Sequence, residues 1–336
     1  MGQTVVFTVS LDDGDVAIEQ NESRPPQHPF RDALLAVVRD RRWYVAAAVA
    51  IGVPLLASAV TFVLTGGDWV TTAYLAAAAL ATPASGAWAA ARQTEGTWDE
   101  RTAHLLAAAL AGAALCVVHV PFVAWAARWE GWGEQGALPT LGVLALAGSA
   151  GACLGAALAA RRVRGAAGVA VAVILAAAVV PFGLYAALLP TTSVTDTISS
   201  YRFTPDYGSN RPLFICTTVP VEVTRLHTND IAWIAMASPI SWLVDAATFT
   251  PKELAKAPDG SLAQTQAWVR STRVGPDAFE GHCYAPTSLG VPTAVREARY
   301  AAAGPLGAQL ATFAALAAMA VAIIASAKSP SRSASR

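Results

Sequence analysis

The sequence predicts an all-α membrane protein: six transmembrane helices, an amphipathic N-terminal interfacial helix, and a large extracytoplasmic loop between helices 5 and 6. Three observations predict it. Of 336 residues, 54% are hydrophobic and only 14% charged, whereas a water-soluble domain carries about 25% charged residues. The apolar residues are gathered into long runs rather than dispersed, which is how a chain meets a bilayer. Basic residues collect in alternate connections between those runs, as they do in short cytoplasmic loops. Net charge is zero, so no global field draws the chain to nucleic acid.

Residues 1–28 form a polar, acidic tail that lacks the basic start and apolar centre of a secretory signal. Insertion therefore falls to the first span. Within the tail, "TVVFTVSLDDGDVAIEQ" has the pattern of a small hairpin around Asp13 and Gly14. Residues 29–43, "PFRDALLAVVRDRRW", read as an amphipathic helix lying in the interface. Phe30, Ala33, Leu34, Val37 and Val38 recur at helical spacing, and Arg31, Asp32, Arg39 and Asp40 face away.

Five runs within 44–190 are long enough to cross roughly 30 Å of hydrocarbon. They are Trp43–Leu64, Val70–Ala91, His104–Ala127, Leu138–Ala160 and Ala166–Leu189, and a sixth is Gly304–Ala327. Gly148, Gly151 and Gly155 suit close helix packing. Residues 328–336 are a short tail. Arg31, Arg39, Arg41, Arg42, Arg92, Arg101, Arg161, Arg162 and Arg164 mark one side. Trp69, Trp129 and Trp132 cluster on the other, where an aromatic belt belongs. Both termini are expected in the cytoplasm of a cell-membrane protein, with residues 191–303 outside.

The apolar stretch 231–246 could be a further crossing, and a count of basic residues alone slightly favours seven spans. Its core, Ile231–Val244, is short, however, and Pro239 interrupts it. The charge rule also loses force in loops longer than about 60 residues. The segment is read as a re-entrant or interfacial helix, with Asn229 or Asp230 available as its N-cap. Cys216 and Cys283 then share an oxidising compartment and are a candidate disulfide, two separate thiols being the alternative. Cys116 and Cys153 fall inside spans and read as packing residues.

The chemistry of an enzyme is missing. No phosphate-binding Gly-Lys-Ser/Thr loop, no HExxH and no CxxC occurs. No catalytic residue, metal site or cofactor is expected in this chain. His119 alone among the histidines lies deep in a span. That makes it a functional candidate. The simpler reading is a neutral imidazole bonded to a backbone carbonyl freed by Pro121. The other five spans contain no Asp, Glu, Lys, Arg or His in their cores, which argues against a proton- or sodium-coupled carrier.

The connection after the second run reads "RQTEGTWDERTAHLL". Gly96 ends one helix, and Thr97 with Glu100 makes a capping box for the next. Trp98, Asp99 and Arg101 then project toward the cytoplasm, and a well-capped tight turn would itself account for the pattern. The stretch resembles the segment that follows the second span in type-2 ATP-binding-cassette (ABC) permeases, without its usual final proline. In that family this segment is a coupling helix seated in the ATPase, a role the resemblance extends to Glu95, Gly96, Thr97, Trp98, Asp99, Glu100 and Arg101. A second stretch, "ASPISWLVDAATF…GSLAQTQAWVRSTRVGPD", is similar to the outer-loop pattern before the last span of permeases from high-GC Gram-positive bacteria. Pro239, Asp245, Ala246, Arg270, Arg273, Gly275 and Pro276 match it, with Ser238 in place of the usual Asn.

The resemblance implies the permease subunit of an ABC exporter, which forms the translocation path as a homodimer or with a second permease. A separate ABC ATPase subunit would supply ATP, binding beneath Glu95–Arg101 and the helix bearing Arg31, Asp32, Arg39 and Asp40. The alternative is a non-transport membrane anchor or sensor whose extracytoplasmic domain binds a ligand.

Overall fold

The computed structural model describes residues 29–67, 69–92, 98–129, 133–206, 213–246, 261–276 and 279–280. The N-terminal tail, the run Gly304–Ala327 and the C-terminal tail lie outside these residues.

Helix α1 (Pro29–Arg39) buries Val37, while Arg31, Asp32 and Arg39 are exposed. It stops four residues short of the expected Trp43 because Asp40 leaves helical geometry to cap the next helix. The Asp40 carboxylate accepts a hydrogen bond from the Arg42 N–H at 3.0 Å, satisfying one of the orphan donors that open a helix. Helix α2 (Arg41–Thr65) ends at Gly66, whose φ of 71° only glycine adopts without strain. Helix α3 (Val70–Ala90) returns beside it. Helix α4 (Trp98–Ala114) passes through a 3₁₀ stretch, Leu115–His119, into α5 (Val120–Trp129). Helices α6 (Gly133–Ala160) and α7 (Ala166–Leu188) follow, joined by a turn in which Arg162 and Gly165 have positive φ.

Among the described residues, four helical stretches are long and apolar enough to cross a membrane: Arg41–Thr65, Asp99–Trp129, Ala137–Ala160 and Ala166–Thr192. The protein is therefore mostly helical and membrane-embedded. Helix α3 has the length but is less apolar, because Thr71, Thr72, Tyr74, Thr82 and Ser85 stand in it. It is also the hub, packing on α2, α4, α6 and α7. Polar side chains are tolerated there because neighbouring helices, not the surroundings, receive them.

The helix contacts are made by small residues. Gly148 of α6 meets the backbone of Gly112 in α4, and Gly151 and Gly155 of α6 lie against the carbonyls of Pro83 and Ala87 in α3. Added Cβ atoms at these places would collide with backbone, so the glycine stripe sets how closely three helices approach.

The region after α7 corrects the all-α expectation. Strands β1 (Ser193–Asp206) and β2 (Leu213–Leu226) form an antiparallel ribbon in which Ser193 pairs with Leu226 and Asp206 with Leu213. A two-residue strand, β3 (Phe279–Glu280), joins β1 in parallel, giving the order β2-β1-β3. Val, Ile and Thr fill both long strands, and β-branched side chains suit a pleated sheet. Fourteen residues at about 3.3 Å each make a ribbon of roughly 46 Å. The chain then forms α8 (Ala232–Met236), α9 (Pro239–Ala246) and, later, α10 (Ser261–Val274).

Replacing Gly151 by Val should force α3 and α6 apart and cost about 1–3 kcal/mol or more, the usual range for overpacking. Thermal unfolding in detergent checks this. Gly142→Ala and Gly168→Ala, at positions with nothing near the added methyl, should leave the melting temperature almost unchanged.

Candidate functional site

At the end of the bundle where α2 begins, α1 packs on α4. The Arg92 guanidinium, just after α3, bonds the Asp40 carboxylate at 2.7 Å. Asp40 is thus engaged inside the fold, capping α2 and holding Arg92, and its side chain is only 11% exposed. This corrects the expectation that it faces outward with Arg31, Asp32 and Arg39. Arg42 lies over the Trp88 ring, 5.8 Å from its centroid, a favourable cation–π distance.

Of the connection read as a coupling segment, Glu95, Gly96 and Thr97 lie outside the described residues, and so does the proposed Thr97 cap. Helix α4 begins at Trp98. Asp99 is exposed, Glu100 and Arg101 are half-buried, and Asp99 and Glu100 both stand in the first turn, where acidic groups favour the helix dipole. Asp40, Arg92, Trp43 and His104 line a cleft of about 30 Å³, room for roughly one water molecule.

At the opposite end, the stretch that raised the crossing question is two short helices, not one. Ser238 occupies the break. Its Oγ accepts from the Ile240 N–H at 3.3 Å and donates to the Ala178 carbonyl of α7 at 2.8 Å. Pro239 is the first residue of α9, where a missing N–H costs nothing. Serine is among the good cap residues, and Ser238 fills that role here. Neither Asn229 nor Asp230 caps α8. Ile231 holds that position without a side-chain bond, and Asn229 donates to Asp230 Oδ1 at 3.2 Å.

The α8–α9 pair is buried among α3, α6 and α7, with Ile234, Met236, Leu243 and Val244 packed against Tyr74, Leu75 and Leu144. The stretch Ala178–Leu188 amounts to about 15 Å of helix, so Ser238 reaches well down the length of α7. Both flanks of the pair meet α10. Thr228 donates to the Thr272 carbonyl at 3.0 Å, Asn229 lies against Gly275, and Asp245 accepts from Arg270 Nε at 3.2 Å and Arg273 Nη2 at 3.1 Å. The sequence-spaced residues Asp245, Arg270 and Arg273 thus converge in one ion cluster. Ala246 is buried beside it, and Gln266 donates to the Asp245 carbonyl. Of the candidate disulfide, Cys216 lies on β2 opposite Phe203, and Cys283 falls outside the described residues. Cys116 and Cys153 are free, half-buried thiols on helices.

His119 is fully buried, and its partners differ from the expected backbone carbonyl. Nδ1 shares a hydrogen bond with Tyr74 Oη and Nε2 with Thr82 Oγ1, both at 2.9 Å. Tyr74 also stacks on Phe122, with centroids 3.5 Å apart. This network ties the broken span α4–α5 to the hub α3. Sequence reasoning found His119 but not Tyr74 or Thr82. The usable signal was the stripe Thr71, Tyr74, Thr82 and Ser85 along one face of α3. Among the described residues, no cluster of His, Cys, Asp or Glu is placed to hold a metal.

These features define a class: a membrane-embedded helical protein with a two-helix insertion buried at one end and an ion cluster fastening it. No known family model, curated protein or solved structure matches the chain.

Asp245→Asn leaves two buried guanidinium groups without their carboxylate, which should cost about 3–5 kcal/mol. Arg273→Gln keeps the Asp245–Arg270 pair and should cost clearly less. Melting temperatures of the two variants check that order. Tyr74→Phe removes one interhelical bond and should lower stability by about 0.6–1.7 kcal/mol, read the same way.

Proposed function

We propose that the chain is the permease subunit of an ABC exporter, embedded in the cytoplasmic membrane with both termini inside. The observation that carries this reading is the placement of two sequence features at one end of the bundle. Helices α1 and α4 pack side by side, and the Asp40–Arg92 pair ties the start of α2 to the end of α3 at the same end of the bundle. Arg31, Asp32 and Arg39 of α1 and Asp99 of α4 are exposed. A cytoplasmic ATPase docking there would engage both at once, with Glu95–Arg101 as the coupling segment. The positive-inside pattern supports this end as the cytoplasmic one.

On this reading six spans surround or adjoin the path, α3 counting as the second and Gly304–Ala327 as the sixth. The α8–α9 pair is a re-entrant element that enters and leaves on the outer side. A second permease copy, identical or related, completes the path. The chain performs no covalent chemistry and binds no cofactor. It supplies contacts that differ between two conformations, biased by ATP in the partner.

The sensor alternative has one observation in its favour. The long β1–β2 ribbon follows α7 and is extended only by the two-residue β3, and so small a sheet in water gains stability from something packed on it. An exporter accommodates the same ribbon as an outer cap, so we retain transport as the principal reading.

Trp98→Ala and Asp99→Arg should each abolish co-purification of an ATPase subunit from mild detergent while leaving membrane insertion intact. Retention of the ATPase by both variants would remove the coupling assignment.

A further inference from the structure

The ion cluster between α9 and α10 is unbalanced. Arg270 and Arg273 bring two positive charges, and among the described residues Asp245 is the one acid bonded to either. All three side chains are largely withdrawn from solvent, with 10%, 14% and 5% exposed. Asp245 engages one nitrogen of each guanidinium, out of the five N–H donors each carries. Arg273 Nε is buried with no acceptor. A buried cation short of a counter-charge is costly, and it marks where an anion would be held.

The level of the cluster indicates which anion. The first residue of α10 lies at the start of α3, with Ser261 Oγ 3.2 Å from Thr72 Oγ1, and Trp268, two residues before Arg270, is exposed. Around the same end stand exposed tryptophans: Trp69 at 44%, Trp129 at 77%, Trp233 at 63% and Trp268 at 46%. Exposed Trp rings settle at the headgroup region of a bilayer. The oxyanion abundant at that depth is a lipid phosphate, and a planar guanidinium fork binds phosphate through paired N–H groups.

We propose that Arg270 and Arg273, positioned by Asp245, form a headgroup site for an anionic phospholipid. The site would clamp α10, and through Asp245 the buried α8–α9 pair, to the membrane surface. It rests on the described chain alone, so its failure would leave the transport reading untouched.

The test is the melting temperature of the full chain in mild detergent, with added dioleoylphosphatidylglycerol, dioleoylphosphatidylcholine or inorganic phosphate. Phosphatidylglycerol should raise it by a few degrees more than phosphatidylcholine. Arg273→Gln should lose at least half of that difference. Inorganic phosphate alone should not reproduce it. Equal shifts from the two lipids, an equal shift from free phosphate, or an undiminished difference in Arg273→Gln would each overturn the site. Should that variant not fold, Arg273→Lys keeps the charge without the fork. It should show a reduced difference, and a full one would count against the site.

Discussion

The fold depends on one inversion: its most apolar helices are its most exposed, while α3, which carries a stripe of hydroxyls, is mostly buried. In α2 and α7 only 17% of the apolar window is buried, against 56% in α6. Leu56, Phe62, Val63 and Leu64 of α2 stand far out, Val63 at 81% exposure. In water each such side chain would forfeit about 25 cal/mol per Å² of apolar surface left uncovered. In hydrocarbon the same exposure costs nothing, and the cost falls instead on unpaired polar groups. Helix α3 can therefore carry hydroxyls only because α2, α4, α6 and α7 shield it. The glycine stripe of α6 follows from the same constraint. Where lipid is as apolar as the helices, close backbone approach and interhelical hydrogen bonds must supply the attraction.

Polar groups inside the bundle are accordingly spent in pairs. His119 divides its two nitrogens between Tyr74 and Thr82, locking the 3₁₀ interruption between α4 and α5 onto the hub. Such an interruption is where a span can bend. Ser238 closes the break between α8 and α9 and reaches Ala178. The Asp245 cluster fastens the return of that insertion to α10. These three ties sit at the two irregular places in the helical bundle, and each converts a break in a helix into a defined geometry.

Much of this was legible in the chain because hydrocarbon length and helical rise are fixed quantities. The runs beginning at Trp43, Val70, Leu138 and Ala166 match helices within a few residues, and the Gly148–Gly155 spacing marked a true packing face. The third run is a helix broken at Leu115–His119, a feature that apolar length alone does not carry. The ribbon was missed although Ser193–Leu226 alternates β-branched residues around a Gly-Ser-Asn turn signal, because attention to membrane length favours helices. Asp40 was read as outward from the periodicity of one helix, when its role is to end that helix and begin another. Tyr74 and Thr82 were invisible as partners of His119 because they lie far from it in sequence, and periodicity reports faces rather than pairings. The outer motif was found by resemblance, while its convergence on Asp245 required the fold.

Joined together, these features describe a bundle with two differently built ends. One is basic, with α1 packed on α4. The other carries the insertion, the tryptophans and the ribbon. The central claim is that the chain on either side of α8–α9 lies on one side of the bilayer. It is tested most directly by single cysteines at Thr195, before the insertion, and Gln264, after it, in a background without Cys116, Cys153, Cys216 and Cys283. Both positions are exposed. A membrane-impermeant maleimide should label the two together, either in intact cells or only after permeabilisation. Labelling of one in intact cells and of the other only in broken cells would contradict the account.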